Sequence, residues 1–112
     1  MRFEWDDGKN RQDIRKHDVS FETAVLVFDD PYALTQRDMT FEAEERWITL
    51  GAIGVGSILL VVHTFYEEQN DEVIRVISAR AAEFHERKAY EEAHRGTETR
   101  YQSHRRKKRR GH

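Results

Sequence analysis

Trp47 to Tyr66 reads WITLGAIGVGSILLVVHTFY, a run without Asp, Glu, Lys or Arg. A helix of that length would span a bilayer; two strands joined by a turn would account for it equally well. Three features decide for the strands. Gly51, Gly54 and Gly56 cluster in the middle, β-branched residues crowd both halves, and acids flank both ends. The second half alternates, setting Ile58, Leu60, Val62 and Thr64 opposite Leu59, Val61, His63 and Phe65.

Outward from this hairpin the two-fold period continues. Strands are expected over 32–36, 46–51, 57–66 and 72–79, and the short connections make the sheet mostly antiparallel. The polar, acidic segment 37–45 reads as a surface loop. Upstream, Phe3-Glu4-Trp5 alternates as a short strand or extended arm. Asp6 or Asp7 can cap a helix over 8–17, in which Ile14 is almost the sole aliphatic residue, so its neighbours must hold it. Ser20 caps a second helix with Phe21, Ala24, Val25 and Phe28 on one apolar face, stopped at Asp29-Asp30-Pro31. A third helix is expected over 81–93, with Gly96 as its stop.

The fold class is therefore α+β: two N-terminal helices packed on a small, mostly antiparallel sheet, then a C-terminal helix. At 112 residues the chain holds one domain, assigned to 1–94. The net charge of −2 hides a division. Residues 1–94 carry 11 Lys and Arg against 20 Asp and Glu, while 95–112 carry 8 against 1. The basic run Arg105 to Arg110 repels itself and buries nothing, so 95–112 is expected to be a disordered tail, either solvated or attracting a polyanion. No cysteine occurs, which removes disulfides and thiol chemistry and fits a reducing compartment. The N-terminus has acids where a signal peptide needs a basic start and an apolar run. A cytoplasmic protein without a membrane segment is expected.

Chemistry narrows by elimination. The six histidines form no i, i+4 pair on one helix and no HExxH motif, so no metal site is expected. The run Gly51 to Gly56 lacks the lysine of a P-loop and the third glycine of GxGxxG. No serine sits in a nucleophile elbow. What remains is a set of polar residues on or beside the sheet: His63 in mid-strand, Arg46 at a strand start, Arg75 within the last strand and Arg80 at its exit. A guanidinium there needs solvent, a carboxylate or a phosphate to offset its desolvation.

The runs Phe3-Glu4-Trp5-Asp6, Lys16-His17-x-Val19-Ser20-Phe21-Glu22, Val27-Phe28-Asp29-Asp30-Pro31, Glu45-Arg46-Trp47, Ile74-Arg75-Val76-Ile77-Ser78-Ala79-Arg80 and Glu86-Arg87-Lys88-x-Tyr90 resemble, in order and spacing, the BrnT family of bacterial toxins. The resemblance covers residues 1 to about 94. It implies a RelE-like ribonuclease toxin of a type II toxin–antitoxin pair, acting on RNA without a cofactor. It also implies neutralisation by a BrnA-like antitoxin whose ribbon-helix-helix module links the pair to operator DNA.

Such a mechanism uses the RNA's own 2′-hydroxyl as nucleophile, with a base, a cationic phosphate clamp and an acid for the leaving 5′-oxygen. Arg75 and Arg80 are the expected clamps, since arginine stays charged and spans two phosphate oxygens. Lys9, Arg46 and Arg87 are the supporting cations. His63, or else His17, is the expected acid or base, and Glu45 is either a base or simply the neighbour of Arg46. Two positions depart from the family. Asp18 replaces its usual glycine, and Phe65-Tyr66-Glu67-Glu68 stands where relatives often carry an arginine. If that arginine contributes to cleavage, its task here is reduced or passes to Tyr66. The other functional reading is a non-catalytic binding protein of the same fold that assembles an antitoxin and operator complex.

Overall fold

The computed structural model describes residues 1–40 and 42–94. The basic run at 105–110, Gly96 and the tail assignment lie outside the described residues. The chain divides into two compact units, Met1–Ala82 and a second beginning at Glu83.

The first unit holds strands β1 (Arg2–Glu4), β2 (Leu34–Arg37), β3 (Trp47–Gly54), β4 (Ser57–Glu68) and β5 (Asp71–Ala81) in the order β1-β5-β4-β3-β2. Three of the four pairings are antiparallel, and β1 runs parallel to β5. The run from Trp47 thus forms two adjacent strands. No helix among the described residues is long and apolar enough to cross a membrane.

Both central hairpins close with two-residue turns. Gly54 pairs with Ser57 and leaves Val55-Gly56 at the bend, where Gly56 takes φ +80. Glu68 pairs with Asp71, and Gln69 and Asn70 both have positive φ, the geometry that follows the right-handed twist of paired strands. Gly51, the last residue of the strand expected over 46–51, lies inside β3, which runs on to Gly54. Its hydrogen leaves room for the chain crossing above, since a Cβ there would stand 2.7 Å from Val27 Cβ and 3.0 Å from the Val27 carbonyl oxygen.

Helix α1 (Asp7–His17) starts where Asp6 accepts the Lys9 amide and ends at Asp18, which is left-handed at φ 60 and ψ 30. Asp18 thus adopts the backbone conformation for which glycine is favoured without disrupting the junction, and its amide reaches the Ile14 carbonyl at 2.8 Å. Buried polar groups hold this aliphatic-poor helix in place. The Asp13 carboxylate accepts from Ser78 Oγ and the Ala79 amide, both at 3.0 Å, and Asn10 Oδ1 accepts the Phe21 amide at 2.9 Å. Helix α2 (Phe21–Ala24), capped by Ser20, tightens into a 3-10 turn over Val25–Asp29 instead of continuing as one helix. Phe21, Ala24 and Val27 meet Leu59, Val61, Val76 and Ala79 in the core. This is the helix-covered face of the sheet.

The second unit contains helix α3 over 84–94. It starts three residues later than the sequence suggests because β5 runs on to Ala81, whose successor Ala82 donates its amide to the Ile58 carbonyl. The Glu86 side chain accepts the Glu83 amide at 2.8 Å and caps the new start.

Candidate functional site

Strand alternation sorts the polar residues onto two faces. Val76 and Ala79 belong to the helix-covered core, which turns Arg75 and Arg80 to the opposite face. Phe3 packs on Phe28, with ring centroids 5.5 Å apart, so Glu4 also points to the face opposite α1 and α2. On β4, His63 and Phe65 share the covered face and Tyr66 takes the other.

Register brings the residues of this second face together. Arg46 directly precedes Trp47, the partner of His63, while Thr64 pairs with Arg75 and Arg75 with Glu4. Arg46, Thr64, Arg75 and Glu4 therefore lie in one row across the sheet, with about 10 Å, two strand spacings, between the first and second arginine. Tyr66, diagonal to Arg75, reaches across β5 and donates to Glu4 Oε1 at 2.7 Å. Arg75 Nη1 lies 3.4 Å from the same oxygen, and Arg2 pairs with Glu68 at 2.8 Å beside them.

The electrostatics follow from these contacts. The Tyr66 hydroxyl, helped by Arg75, holds the Glu4 carboxyl below its ordinary range, and the Glu4 carboxylate pushes the Tyr66 phenol up. Glu4 is thereby kept ionised and Tyr66 protonated near neutral pH. The Glu68 carboxylate also raises the Arg2 guanidinium.

The expected site residues separate under this geometry. Arg75 and Arg46 share the row. Arg46 also meets Glu44 at 2.9 Å, so Arg75 and Arg46 each have a carboxylate of their own. Arg80 faces the same way but pairs with Leu60, four residues along β4 from Thr64. That puts it about 13 Å from the level of Arg75, too far for both to grip one phosphate through adjacent backbone positions. The two expected clamps are therefore separate cations spaced along one face. Arg80 Nη1 also donates to the Ala81 carbonyl at 3.2 Å. Glu45 is exposed and pairs with Arg37 at 3.6 Å rather than with Arg46. Lys9 and His17 ride on α1, on the helix side, Lys9 exposed and His17 half-buried. Arg87 is an exposed residue of α3 in the second unit.

His63 requires the largest correction. Its side chain is fully buried, with Nε2 2.7 Å from Thr49 Oγ1, which in turn lies 2.8 Å from Thr35 Oγ1. Phe28 and Phe65 meet the imidazole edge-on at centroid distances of 5.0 and 4.8 Å. Burial pushes its pKa down to about 4, opposed only in part by the Thr64 backbone, and Nδ1 makes no hydrogen bond. A neutral, sealed imidazole has no path to an RNA atom, so His63 is a core residue here and not the acid or base.

Sequence reasoning did not select Glu4. The signal available was its place beside Phe3 on an alternating segment, but its partners Tyr66 and Arg75 lie 62 and 71 residues away. Among the described residues, no group of three or more His, Asp or Glu is placed to hold a metal ion.

The model of a family described as ribonuclease toxin, BrnT, of type II toxin–antitoxin systems matches residues 5–86. No curated protein matches the chain. Among solved structures, the 1.1 Å crystal structure of the Brucella abortus ribonuclease toxin, BrnT, is similar, with a TM-score of 0.51 at 22% identity over 74% of this chain and 97% of that one. At that identity the likeness concerns the fold.

Proposed function

The chain belongs to the BrnT family of ribonuclease toxins of type II toxin–antitoxin systems, and from that premise we propose that it is a cytoplasmic, RelE-like endoribonuclease that cleaves RNA without a metal ion. A BrnA-like ribbon-helix-helix antitoxin holds it inactive and carries the pair to operator DNA. The observation supporting this reading most strongly is the row of Arg46, Arg75 and Glu4 across the face opposite α1 and α2, with Tyr66 beside it and Arg80 further along.

On this reading that face serves an in-line attack by a 2′-hydroxyl: Arg75 stabilises the charge that gathers on the phosphorane, Arg46 and Arg80 attract phosphates further along the RNA, and a carboxylate and a phenol stand beside Arg75. The acidic body opposes RNA approach, so the attraction is local to the arginines and to the basic segment at 105–110. The exchange of carboxylate for phosphate is inexpensive, because exposed ion pairs such as Arg75 with Glu4 are weak.

The direct test is cleavage of RNA by the purified chain in the presence of a chelator. The wild-type chain is expected to cut, Arg75→Ala to cut about 10²-fold more slowly or worse, and Arg80→Ala to lose affinity for longer substrates first. One observation favours the second reading, a non-catalytic binding protein of the same fold: Glu4 and Glu44 already neutralise Arg75 and Arg46. Absence of cleavage by the wild-type chain, with intact binding of the antitoxin, would replace the first reading by the second.

A further inference from the structure

With His63 sealed in the core, the cleavage reaction needs another route for its protons. Among the described residues, Glu4 and Tyr66 are a carboxylate and a phenol in direct contact, on the arginine face, with Arg75 at the same oxygen. Glu4 Oε1 holds both of these contacts, and no hydrogen bond among the described residues reaches Oε2. Tyr66 is 38% exposed, so its side chain is within reach of a substrate lying on the sheet.

We infer that Glu4 and Tyr66 are the proton-transfer pair of this ribonuclease, Glu4 as the base for the 2′-hydroxyl and Tyr66 as the acid for the leaving 5′-oxygen. The inference rests on the ribonuclease reading above and assigns two catalytic residues that it leaves open. The 2′-hydroxyl gives its proton to Glu4 Oε2 as the 2′-oxygen to phosphorus bond forms. The bond from phosphorus to the 5′-oxygen breaks, and that oxygen takes the Tyr66 proton. A half-turn of the carboxyl then returns the proton from Glu4 to the Tyr66 phenolate. The products are a 2′,3′-cyclic phosphate and a 5′-hydroxyl, nothing is oxidised or reduced, and the pair is restored without a co-reactant.

Three features support these roles. The resting protonation states are the required ones, because the contact keeps Glu4 ionised and Tyr66 protonated. Arg75 stands beside the pair, where it stabilises the phosphorane as Glu4 gains its proton and releases the guanidinium from their contact. The aromatic ring of Tyr66 also offers a surface on which an unpaired base can stack.

A purely structural role, in which Tyr66 only ties β1 to β4 across β5, predicts a different pattern of rates. The decisive measurement uses an oligoribonucleotide that the wild-type chain cuts and its twin with sulfur in place of the bridging 5′-oxygen, whose thiolate departs without a proton. Tyr66→Phe is expected to cut the ordinary substrate about 10²-fold more slowly and the sulfur twin at close to the wild-type rate. Glu4→Gln is expected to be slow on both, with the acidic limb of its pH profile lost. Tyr66→Phe equally slow on both substrates, or as fast as wild type on ordinary RNA, would overturn the assignment and leave the ribonuclease reading standing. Failure of the wild-type chain to cut either substrate would remove both. Circular dichroism of each variant separates these rates from misfolding.

Discussion

His63 and Tyr66 stand three residues apart on β4 and meet opposite surroundings. His63 lies under the helices with two phenylalanine rings against it, while Tyr66 lies in the open with a carboxylate and a guanidinium nearby. One is held neutral by burial, the other by an anion. The contrast teaches that a titratable side chain in a strand is assigned to core or to chemistry by its parity along that strand. Residue type alone favours the histidine as a catalyst, and packing buries it and leaves the proposed chemistry to the other face.

The comparison can be broken most directly through pH. His63 titrates near 6.5 in the unfolded chain and near 4 when folded. Between those values the unfolded state binds the extra proton, so stability falls as pH drops through that window and changes no further below it on this account. The loss is about 3 kcal/mol. Urea unfolding at pH 7 and pH 4 should show this loss in the wild-type chain, added to whatever the carboxylates contribute. In His63→Leu the difference between the two pH values should shrink by that amount. An unchanged difference would mean that His63 is already charged or exposed when folded, and the division between the faces would fail.

A second substitution probes the covered face by volume. At Gly51→Ala the new Cβ meets Val27 Cβ and its carbonyl inside van der Waals distance, so the segment from Val25 to Asp29 must lift off β3. Overpacking of this kind costs about 2 kcal/mol. The same thermal or urea measurement on Arg75→Ala, on the arginine face, should show less than about 1 kcal/mol, because only an exposed ion pair is lost. Substitutions under the helices thus lower stability, and those on the arginine row lower rate. Gly51→Ala as stable as wild type would show that the contact between β3 and the 3-10 turn is loose.

Much of this arrangement is legible in the sequence, and the limits are physical. The glycine cluster and the two-fold period specify the hairpin of β3 and β4, and Asp6, Ser20 and Pro31 mark helix boundaries through local backbone chemistry. Parity even groups His63 with Leu59, Val61 and Phe65. Which of the two faces the helices cover depends on long-range packing, so the histidine reads as a candidate catalyst until the core is seen. The parallel pairing of β1 with β5 is hidden for the same reason, since Arg2 to Glu4 carry no mark of a partner some 71 residues on. Without that pairing, Glu4 never meets Tyr66. The register shift in β5 opposite Val62 and His63 likewise leaves no trace in composition, although it sets the spacing of Arg75 and Arg80.

The smallest expected effect lies at the end of α1, where an aspartate holds a left-handed conformation. Asp18 sits in the left-handed region, which crowds any Cβ against the backbone, although aspartate tolerates it better than most residues. Asp18→Gly removes that crowding but gives the unfolded chain more freedom, and the two effects nearly offset. The net gain should be about 0.5 kcal/mol, seen as a slightly higher urea midpoint with an unchanged slope. Asp18→Ala keeps the Cβ, loses the polar side chain, and should cost about 1 kcal/mol. The order glycine, aspartate, alanine is the signature of backbone strain at this one residue. Alanine as stable as glycine would mean that the left-handed turn is not what ends the helix, and that the amide contact from Asp18 to Ile14 is dispensable.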